Sequence, residues 1–517
     1  MPKPGLRVSF FQDFSGGLNN NQQRQNLLQS ETPDCLDVVF NARGGFSARR
    51  GYRTTTTSTI LNGGYIGGQF SAGTEVLWGI DSTGGLWTWT GSTFTDVVTA
   101  NPADSTNTVR GVAWDDRLYF ANWFVAGTPI MRFWNGTAFT ALTNTVNNNY
   151  SAPTSANAPL SRLIASHSGH MFWADTLEAG TRYRSRVRFS HPLQPRDFAA
   201  ADYFDIEPDD QTNQITALVP FKDHLLVFKQ RGVFAIYGYD RNTFVVERIS
   251  TRGGVFSQEQ VDANSGVCYW WSTDGNVYAW NGRGVVPIGE RIVNVVYDGT
   301  VTPGEADHRV LWGENRLWVV LKTAAGGRVT FMYDPAVGDK GAWTQFSYTP
   351  TSMHWWVRGN GTSQILFTLP SKGRLYDLGN AAQEQDEDGG VNTPIAAYYR
   401  TAWFSAQDTA LKKRWRRPTV TVAANDDCVL NVEVYHDFNE SGPNRTLILP
   451  VTSSGGSMLW GDNWGSIWAG NDPVYQFDRL SSPGRSNAIQ FKFFVTSHSS
   501  RWWCDSYALP YYEKAYR

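Results

Sequence analysis

The acidic segment DYFDIEPDDQ holds the residues of this 517-residue chain that come nearest to a catalytic or metal-binding cluster. Its carboxylates are Asp202, Asp205, Glu207, Asp209 and Asp210. Calcium takes oxygen ligands of this kind, and a close pair of carboxylates performs glycoside hydrolysis. The segment lacks the glycine at the sharp turn and the terminal glutamate of a calcium loop. A solvated edge between a strand and a loop therefore explains these carboxylates better than a site does.

A second candidate is STDGNVYAW, Ser272–Trp280, which is close to the S-x-D-x-G-x-x-W box of sialidase-type propellers. The match fails on spacing, because Gly275 follows Asp274 directly and Trp280 comes one position late. We interpret the segment as a hairpin turn followed by an aromatic strand.

Motifs of the common enzyme classes are missing from the sequence. It has no G-x-x-x-x-G-K-[ST] phosphate loop, no H-E-x-x-H, no G-x-S-x-G and no dinucleotide G-x-G-x-x-G before a helix. Its eight histidines are scattered, which makes a metal cluster hard to build. We therefore expect no catalytic residue, no metal ligand set and no cofactor, and a protein that is not an enzyme.

The segment LKKRWRRP offers charge recognition instead of catalysis. Its basic residues are Lys412, Lys413, Arg414, Arg416 and Arg417, and they flank Trp415. A basic patch with an aromatic residue can contact phosphates or an acidic partner surface. The alternative, which we prefer, is an exposed edge strand whose charges prevent unwanted pairing.

Alternating arginines in TRYRSRVRFS form a second basic row, and these residues are Arg182, Arg184, Arg186 and Arg188. Side chains two apart on a strand share a face, so the pattern predicts four guanidinium groups on one side. A row of ion pairs between blades or subunits and the lining of a channel are both compatible with it.

The composition predicts an all-β protein. The formal charge is −2, which leaves no global positive excess to hold nucleic acid. Aromatic residues make up 14% of the chain and there are 49 glycines, which favours short strands between tight turns. Cys35, Cys268, Cys428 and Cys504 lie far apart, so we interpret them as buried thiols, with a single disulfide as the alternative.

A repeated hairpin pattern predicts a β-propeller. Its clearest copies are Leu77–Gly91, Ala113–Trp123 with Met131–Gly136, and Cys268–Gly284. Anchors on the aromatic strand after each turn are Trp87, Phe133, Val187, Phe234, Tyr278, Phe331 and Leu375. Their spacing of roughly 44–54 residues is typical of four-stranded blades. We predict six to eight blades, preferably seven, over residues 55–380, and a pair of β-sandwiches is the alternative.

Two further parts flank the predicted propeller. Residues 1–54 read as an extended N-terminal strap with the first strands, because glycine pairs, prolines and an Asn/Gln-rich run interrupt any regular pattern. Residues 381–390 are acidic and end in glycines, which indicates a linker or exposed loop. Residues 391–517 alternate like the strands of a sandwich, so we predict a C-terminal β-sandwich-like domain.

The start of the chain lacks the apolar run of a signal peptide, and no stretch approaches the roughly eighteen apolar residues of a membrane helix. We therefore expect no membrane-spanning segment, and a chain that is made in the cytosol.

The two ends of the sequence resemble a known family. The opening has F-S-G-G-L-N at Phe14, Gly16, Gly17, Leu18 and Asn19, then P-D-C-L-D-V from Pro33 and Asp34, a glycine pair, and R-R-G-Y from Arg49 and Arg50. The ending has GRSNAIQFKF and WWCDSYALPYY. This order of parts resembles tailed-bacteriophage virion proteins of the tail nozzle or tubular-protein-B type.

The resemblance implies a structural role in a short-tailed phage. It implies a homo-oligomeric ring, with six copies preferred, at the distal end of the tail. DNA would pass through its lumen, and adaptor and fibre subunits would bind outside. The expected location is the virion, after assembly in the host bacterial cytoplasm, and the strap would reach a neighbouring subunit.

Other functions remain open at this point. A receptor-binding or carbohydrate-binding propeller is one alternative, since exposed tryptophans stack on sugars. A head-to-tail adaptor or a tail hub component is another. The ring number, the lumen residues and the fibre contacts do not follow from the sequence.

Overall fold

The computed structural model describes most of the chain, and it is built almost wholly of strands. The described residues are 5–55, 65–71, 75–81, 85–98, 110–114, 116–121, 132–141, 160–178, 180–197, 199, 201–251, 253–264, 266–370, 372–378, 383–451, 476–495 and 501–513. Helical structure within these ranges is one 3-10 turn, Gln258–Gln260, and one short helix, α1 (Asn294–Tyr297). The predicted all-β class is confirmed.

The N-terminal segment forms seven short strands. They are β1 (Arg7–Phe11), β2 (Gly17–Leu18), β3 (Glu31–Thr32), β4 (Asp34–Leu36), β5 (Val38–Phe40), β6 (Phe46–Ala48) and β7 (Tyr52–Thr54). Two pairs of neighbouring strands are hydrogen-bonded to each other: β5 with β6 in antiparallel and β2 with β3 in parallel. The other partners come from distant parts of the chain.

Seven blades follow, each an antiparallel sheet. Blade one is β8 (Tyr65–Ser71), β9 (Glu75–Ile80), β10 (Leu86–Trp89) and β11 (Phe94–Val98). Blade two is β12 (Arg110–Trp114), β13 (Arg117–Ala121), β14 (Arg132–Trp134) and β15 (Phe139–Ala141). Blade three is β16 (Leu160–His167), β17 (His170–Glu178), β18 (Thr181–Phe189) and β19 (Tyr203–Asp205). Blades four and five are β20 (Ile215–Phe221), β21 (His224–Lys229), β22 (Val233–Tyr237), β23 (Val245–Ser250); and β24 (Val261–Ala263), β25 (Cys268–Trp271), β26 (Val277–Trp280), β27 (Val285–Pro287). Blades six and seven are β28 (Arg309–Gly313), β29 (Arg316–Lys322), β30 (Arg328–Asp334), β31 (Ala342–Phe346); and β32 (Ser352–Val357), β33 (Ser363–Thr368), β34 (Leu375–Leu378).

The blades close into a ring. Their first strands contact one another in the order β8, β12, β16, β20, β24, β28 and β32, and β32 contacts β8 again. The fourth strand of blade seven is β7 from the N-terminal segment, with Thr54 opposite Tyr376 and Tyr52 opposite Leu378. The seven-bladed propeller is therefore confirmed, and the alternative of two sandwiches for this region is excluded by the cyclic contacts.

The predicted spacing marks the third strand of every blade. The seven anchors lie in β10, β14, β18, β22, β26, β30 and β34, and all are buried. Parts of the predicted hairpins, residues 82–84, 115, 122–123 and 131, lie outside the described residues. Large aromatic residues of the second and third strands, such as Trp173 and Phe133, pack between neighbouring blades, which is why the repeat was visible in the sequence.

The C-terminal part forms a hairpin and a two-sheet sandwich. Its strands are β35 (Asp386–Asp388), β36 (Val391–Thr393), β37 (Tyr398–Arg400), β38 (Lys413–Trp415), β39 (Thr419–Ala424), β40 (Cys428–His436), β41 (Arg445–Val451), β42 (Gln476–Arg479), β43 (Gly484–Ser486), β44 (Ile489–Val495) and β45 (Trp502–Glu513). Sheet one has β45 at its centre, with β39 and β38 on one side and β1 and β6 on the other. Sheet two has the order β4-β37-β44-β40-β41.

The predicted domain boundaries differ from the structure in two places. The strap is part of the other units, because β1, β4, β5 and β6 belong to the sandwich sheets and β7 belongs to the propeller. In the predicted linker 381–390, residues 381 and 382 lie outside the described part, and β35 pairs with β36 across the proposed boundary. Asp386 in this hairpin is largely covered and binds Arg49, so the segment is a structured joint.

All four cysteines are buried and unpaired, which confirms the interpretation as thiols. Burial raises the pKa of the Cys35 thiol to about 12, so it stays protonated. Its Sγ lies 3.6 Å from the Thr344 hydroxyl on β31, where the sandwich meets blade six.

His308 gives the propeller a defined acid sensitivity. Its Nδ1 accepts the Lys322 amide, and its Nε2 donates to the Thr302 carbonyl, which requires the neutral ring. Burial lowers the pKa of His308 from 6.5 to about 4. A depressed pKa gives stability that is present above pH 6.5 and lost as the pH falls toward 4.

We expect this histidine to account for about 2–3 kcal/mol of the loss in unfolding free energy over that window. Urea unfolding of wild type and His308→Gln at several pH values measures it. The variant should show a flatter pH profile than the wild type. Equal slopes in the wild type and His308→Gln would contradict the assignment.

Candidate functional site

The front of the strap is anchored in the core of the sandwich. Phe14 is buried, and its ring meets the rings of Phe46 and Tyr399 edge-on at 5.1 and 5.3 Å between centroids. Leu18 is buried in the same core. These two apolar residues of F-S-G-G-L-N are therefore held by their own chain.

The glycine pair between them allows a close backbone approach to blade six. Gly17 has φ +65, and a Cβ there would lie 2.9 Å from the backbone of Trp343 on β31. A Cβ on Gly16 would lie 2.8 Å from the Ser30 carbonyl oxygen. Glycine is needed here because any side chain would push the strap off the propeller.

A buried polar cluster follows the glycines. The amide Nδ2 of Asn19 donates to the Glu31 carboxylate at 3.0 Å, and both residues are buried. Arg291 lies 3.4 Å from the same carboxylate and donates to the Gly16 carbonyl at 2.6 Å. Arg291 precedes α1, so this cluster ties the strap to the region between blades five and six.

The P-D motif starts the edge strand of sheet two. Pro33 is buried, and Asp34 accepts a hydrogen bond of 2.8 Å from the Tyr398 hydroxyl. β4 pairs with β37, with Asp34 opposite Arg400. Asp34 is therefore a positioning contact between strap and sandwich.

Arg49 is the charged centre of the joint between strap, propeller and hairpin. Its guanidinium lies 2.6 Å from Asp37 and 2.6 Å from Asp386, and 5.0 Å from the centre of the Tyr348 ring. Burial opposes its charge, but the two carboxylates hold the pKa of Arg49 above its usual value. The neighbouring Arg50 is exposed. The sequence signal R-R-G-Y thus contains one structural arginine and one solvated arginine.

Much of the strap contacts its own chain, and its reach to a neighbouring subunit stays a prediction. Phe14, Leu18 and Arg49 are buried against the sandwich and the propeller, whereas residues 21–26 and Leu28 are exposed. β1 keeps one strand edge unpaired within the described residues.

β1 is an edge strand with exposed apolar residues. It pairs with β45 on one side, and no other described strand pairs with it. Leu6, Val8 and Phe10 are 54%, 43% and 70% exposed, while Phe11 between the sheets stacks on Tyr507 at 4.3 Å. Their alternation places the three exposed residues on one face of the strand.

The basic segment LKKRWRRP alternates in the same way between buried and exposed residues. Lys413 and Trp415 on β38 point into the sandwich and are buried, and Lys413 binds the carbonyl oxygens of Asp408 and Asn487. The other four predicted patch residues, Lys412, Arg414, Arg416 and Arg417, are exposed. Four of the five predicted patch residues are therefore exposed, and their role as a contact patch stays a prediction. The preferred alternative of an edge strand is wrong, because β38 pairs with β45 on one side and with β43 on the other.

Sheet one brings the two predicted segments onto one outer face. Phe10 and Val8 lie opposite Ala508 and Pro510 on β45, and Arg414 lies opposite Tyr512 on the same strand. Arg416 lies 5.6 Å from the ring of Tyr512, and Arg485 lies opposite Arg414. We call this the outer face of sheet one: it is apolar at β1 and basic at β38 and β43.

The acidic cluster does not converge on one point. Asp202 is buried beside His191 and Arg241, Asp205 binds Arg186 at 2.9 Å, and Glu207 binds Arg248 at 2.9 Å. Asp209 is exposed, and Asp210 hydrogen-bonds Thr212. In the part of the chain that the structure describes, no group of three His, Cys, Asp or Glu residues could hold a metal ion.

The turn at Ser272 has a structural role. Gly275 has φ +84, as a tight hairpin requires, and the Tyr278 hydroxyl donates to Asp274 at 2.7 Å. Gly282, in the next hairpin turn, has φ +97. The interpretation of Ser272–Trp280 as a hairpin turn followed by an aromatic strand is confirmed by the pairing of β25 with β26.

The alternating arginines of β18 form an ion-pair row within blade three. Arg182 binds Asp175, Arg186 binds Asp205 and Arg188 binds Glu178 at 2.6, 2.9 and 2.6 Å. Arg184 donates to the Gln211 carbonyl at 3.0 Å. Their acidic partners lie in β17 and β19, so these ion pairs are neither between blades nor in the channel.

The central channel contains charged residues that the sequence did not indicate. A cavity of 680 Å³ is lined by the first strands of all seven blades, and Arg110, Glu259 and Arg309 project into it. Arg110 forms an ion pair with Glu259, and Arg309 lies 3.9 Å from the same carboxylate. They are far apart in the sequence, so only ring closure brings them together.

Comparison with known proteins adds little to this geometry. No family model and no curated protein matches the chain. Similar solved structures include the computationally designed Ika8 protein, with a TM-score of 0.36 and 11% identity over 63% of this chain and 99% of that one. BBS1N, crystallised with ARL6DN, gives 0.39 and 10% over 65% and 100%. YCF48 bound to D1 peptide gives 0.38 and 11% over 68% and 99%. The seven-bladed assignment rests on the strand pairing described above.

No helix within the described residues is long and apolar enough to cross a membrane.

Proposed function

We propose that this protein is a structural subunit of a bacteriophage tail that assembles into a ring, or nozzle, at the distal tail end. The observation that carries the proposal is the free edge of β1 with its apolar row, on the same sheet face as the exposed arginines. The resemblance of the N-terminal and C-terminal segments to tail nozzle proteins is the second support.

An edge strand is a template for another chain. Its unpaired N–H and C=O groups can hydrogen-bond to a further strand, and burial of exposed apolar side chains such as Phe10 adds to the binding free energy. Natural edges are normally blocked with lysine, proline or a covering loop. β1 carries the exposed Val8 and Phe10, with Leu6 directly before it, and its one charged residue, Arg7, is paired with Glu513 of β45, which favours a subunit interface at this edge.

The placement of β1 suits a ring. β1 and β39 pair with opposite edges of β45, and β41, which ends sheet two, lies next to β39. Ile448 on β41 is also exposed. A contact from one side of a subunit to the opposite side of the next is heterologous, and such contacts close into rings when the rotation permits.

The charge of the chain fits passage of DNA. A lumen that neutralised many phosphates would bind DNA tightly and with a steep salt dependence. A formal charge of −2 for 517 residues favours sliding instead. In this proposal the protein is not an enzyme, six copies form the ring, and adaptor and fibre subunits bind its outer surface in the virion, after assembly in the host cytoplasm.

The experiment is the mass of the purified chain in solution together with negative-stain images. We expect closed rings with a central hole, alone or after a tail partner is added. Val8→Lys combined with Phe10→Lys should weaken ring formation by about 10–100-fold, because two apolar contacts are lost and charges are introduced at the edge.

The matched control is Val245→Lys with Val246→Lys on β23, the outer strand of blade four, where both valines are exposed. It should assemble as the wild type does. Rings that persist in the Val8 and Phe10 variant would remove β1 from the interface. A monomer that forms no ring with any partner would overturn the proposed function.

A further inference from the structure

The mouth of the propeller channel holds two buried guanidinium groups around one carboxylate. Arg110 and Arg309 are the first residues of the inner strands of blades two and six, and Glu259 precedes the inner strand of blade five. Blades two and five are not neighbours in the ring, so Arg110 reaches across the channel to meet Glu259. Blades five and six are neighbours, so Arg309 meets the same carboxylate from the adjacent blade.

The hydrogen bonding of these groups is incomplete. Arg309 donates from Nη1 to the carbonyl oxygens of Ala306 and His308, at 3.3 and 3.0 Å. The Nε atoms of Arg110 and Arg309 are buried and have no hydrogen-bond partner in the described part of the chain. Glu259 Oε2 has none either. Buried polar groups of native proteins are nearly always paired, so three unpaired atoms in one place require an explanation.

The positive charge at this level exceeds the negative charge. Two guanidinium groups face one carboxylate, Glu259. Asp307, 3.9 Å from Arg309, is also hydrogen-bonded to Lys322 at 3.1 Å. Burial, and after it repulsion from Arg309, lowers the pKa of Arg110, which is the sign of a cation with too little compensation.

The other acidic residue of the lining lies deeper. Asp262 accepts the amide of Trp312 at 2.7 Å, and Trp312 is three residues beyond Arg309 on β28. At about 3.3 Å per residue, this places Asp262 roughly 10 Å further along the channel. Its second oxygen accepts the Ala263 amide at 2.8 Å. Asp262 therefore does not neutralise the mouth.

We propose that the mouth of the channel binds an oxyanion, a phosphate or carboxylate group, between Arg110 and Arg309. Arginine forms charge-assisted, planar hydrogen bonds with both groups, and the free Nε atoms are the donors that remain. A cavity of 680 Å³ suits a small organic molecule carrying that group, and Ile66, Val112 and Leu218 supply apolar walls. This site is independent of ring assembly.

The test uses the full chain with inorganic phosphate and citrate as probes, in calorimetric titration at constant ionic strength. We expect saturable binding of at least one probe, and about tenfold or greater weakening in Arg309→Gln, since one of the two guanidinium groups is lost. Arg184→Gln, in blade three, is the control and should bind as the wild type does. Phosphate alone, citrate alone, or both binding would each support the site and would identify the anion.

A second variant separates binding from a structural role. Glu259→Gln removes the carboxylate that competes for both arginines, so it should bind the probe about tenfold more tightly than the wild type. A purely structural triad would lose thermal stability without any gain in affinity. The proposal is overturned if neither probe binds the wild type, if Arg309→Gln binds as tightly as the wild type, or if Glu259→Gln shows no gain.

Discussion

Arg49→Ala is expected to lower the free energy of unfolding by about 3–5 kcal/mol, because it leaves two carboxylates without their shared cation. Asp37 is buried and Asp386 is largely covered, and each lies 2.6 Å from the guanidinium. A buried ion pair gives little net stability as a whole, yet removing one partner exposes the full desolvation cost of the other. Here a single substitution leaves two carboxylates, Asp37 and Asp386, without a partner cation.

The effect should spread beyond the site of substitution. Asp37 belongs to the strap, Asp386 to the hairpin after blade seven, and Tyr348 under the guanidinium follows blade six. Asp37 also accepts the Ser347 amide at 3.0 Å. Loss of Arg49 therefore loosens the joint between sandwich and propeller, and we expect tryptophan fluorescence to report both units unfolding earlier.

Urea unfolding of matched variants measures the effect. Arg50→Ala changes the adjacent, exposed arginine and should stay within about 0.5 kcal/mol of the wild type. Arg49→Lys keeps the charge but loses the planar fork, so it should recover part of the loss. An Arg49→Ala midpoint equal to that of Arg50→Ala would show that the three-way joint does not stabilise the chain.

The propeller was predictable from the sequence because the residues that define a blade lie close together in the chain. Each blade places a tight turn before an aromatic third strand, so Trp87, Phe234 and Phe331 mark equivalent positions without any knowledge of ring closure. Turn glycines such as Gly275 add a conformational requirement that other residues rarely meet. Repetition of the local pattern then made the blade number predictable.

The role of the strap was not visible, because it depends on partners far along the chain. Tyr52–Thr54 becomes the outer strand of blade seven only after the ring closes against Leu375–Leu378. Arg7–Phe11 becomes a strand of sheet one only when Trp502–Glu513 is in place. An extended, irregular segment was the correct local description, and its β pairing is set by tertiary structure.

The candidate sites divide in the same way. The burial of Lys413 and Trp415 follows from period-two alternation and was accessible to sequence reasoning, although the charge run hid it. The meeting of Arg110, Glu259 and Arg309 was not accessible, since three separate blades supply one residue each. Non-local charge clusters have no pattern in the sequence.

Deletion of residues 1–54 is expected to abolish folding. It removes β7, which leaves β34 as an uncovered edge in blade seven, and it removes β4 from sheet two and β5 and β6 from sheet one. The same deletion takes out Phe14 and Leu18 from the core and exposes the surface around Trp343. Soluble expression and circular dichroism should show aggregated or unfolded protein.

Deletion of residues 1–10 is the matched comparison, because it removes the exposed part of β1 and keeps Phe11 stacked on Tyr507. This variant should fold with a loss of about 1–2 kcal/mol, since few buried groups are removed, but it should no longer form rings. The pair of deletions thus separates the two roles of the strap. A folded monomer after the long deletion would contradict the pairing of β7 with blade seven, and rings after the short deletion would place the subunit interface elsewhere.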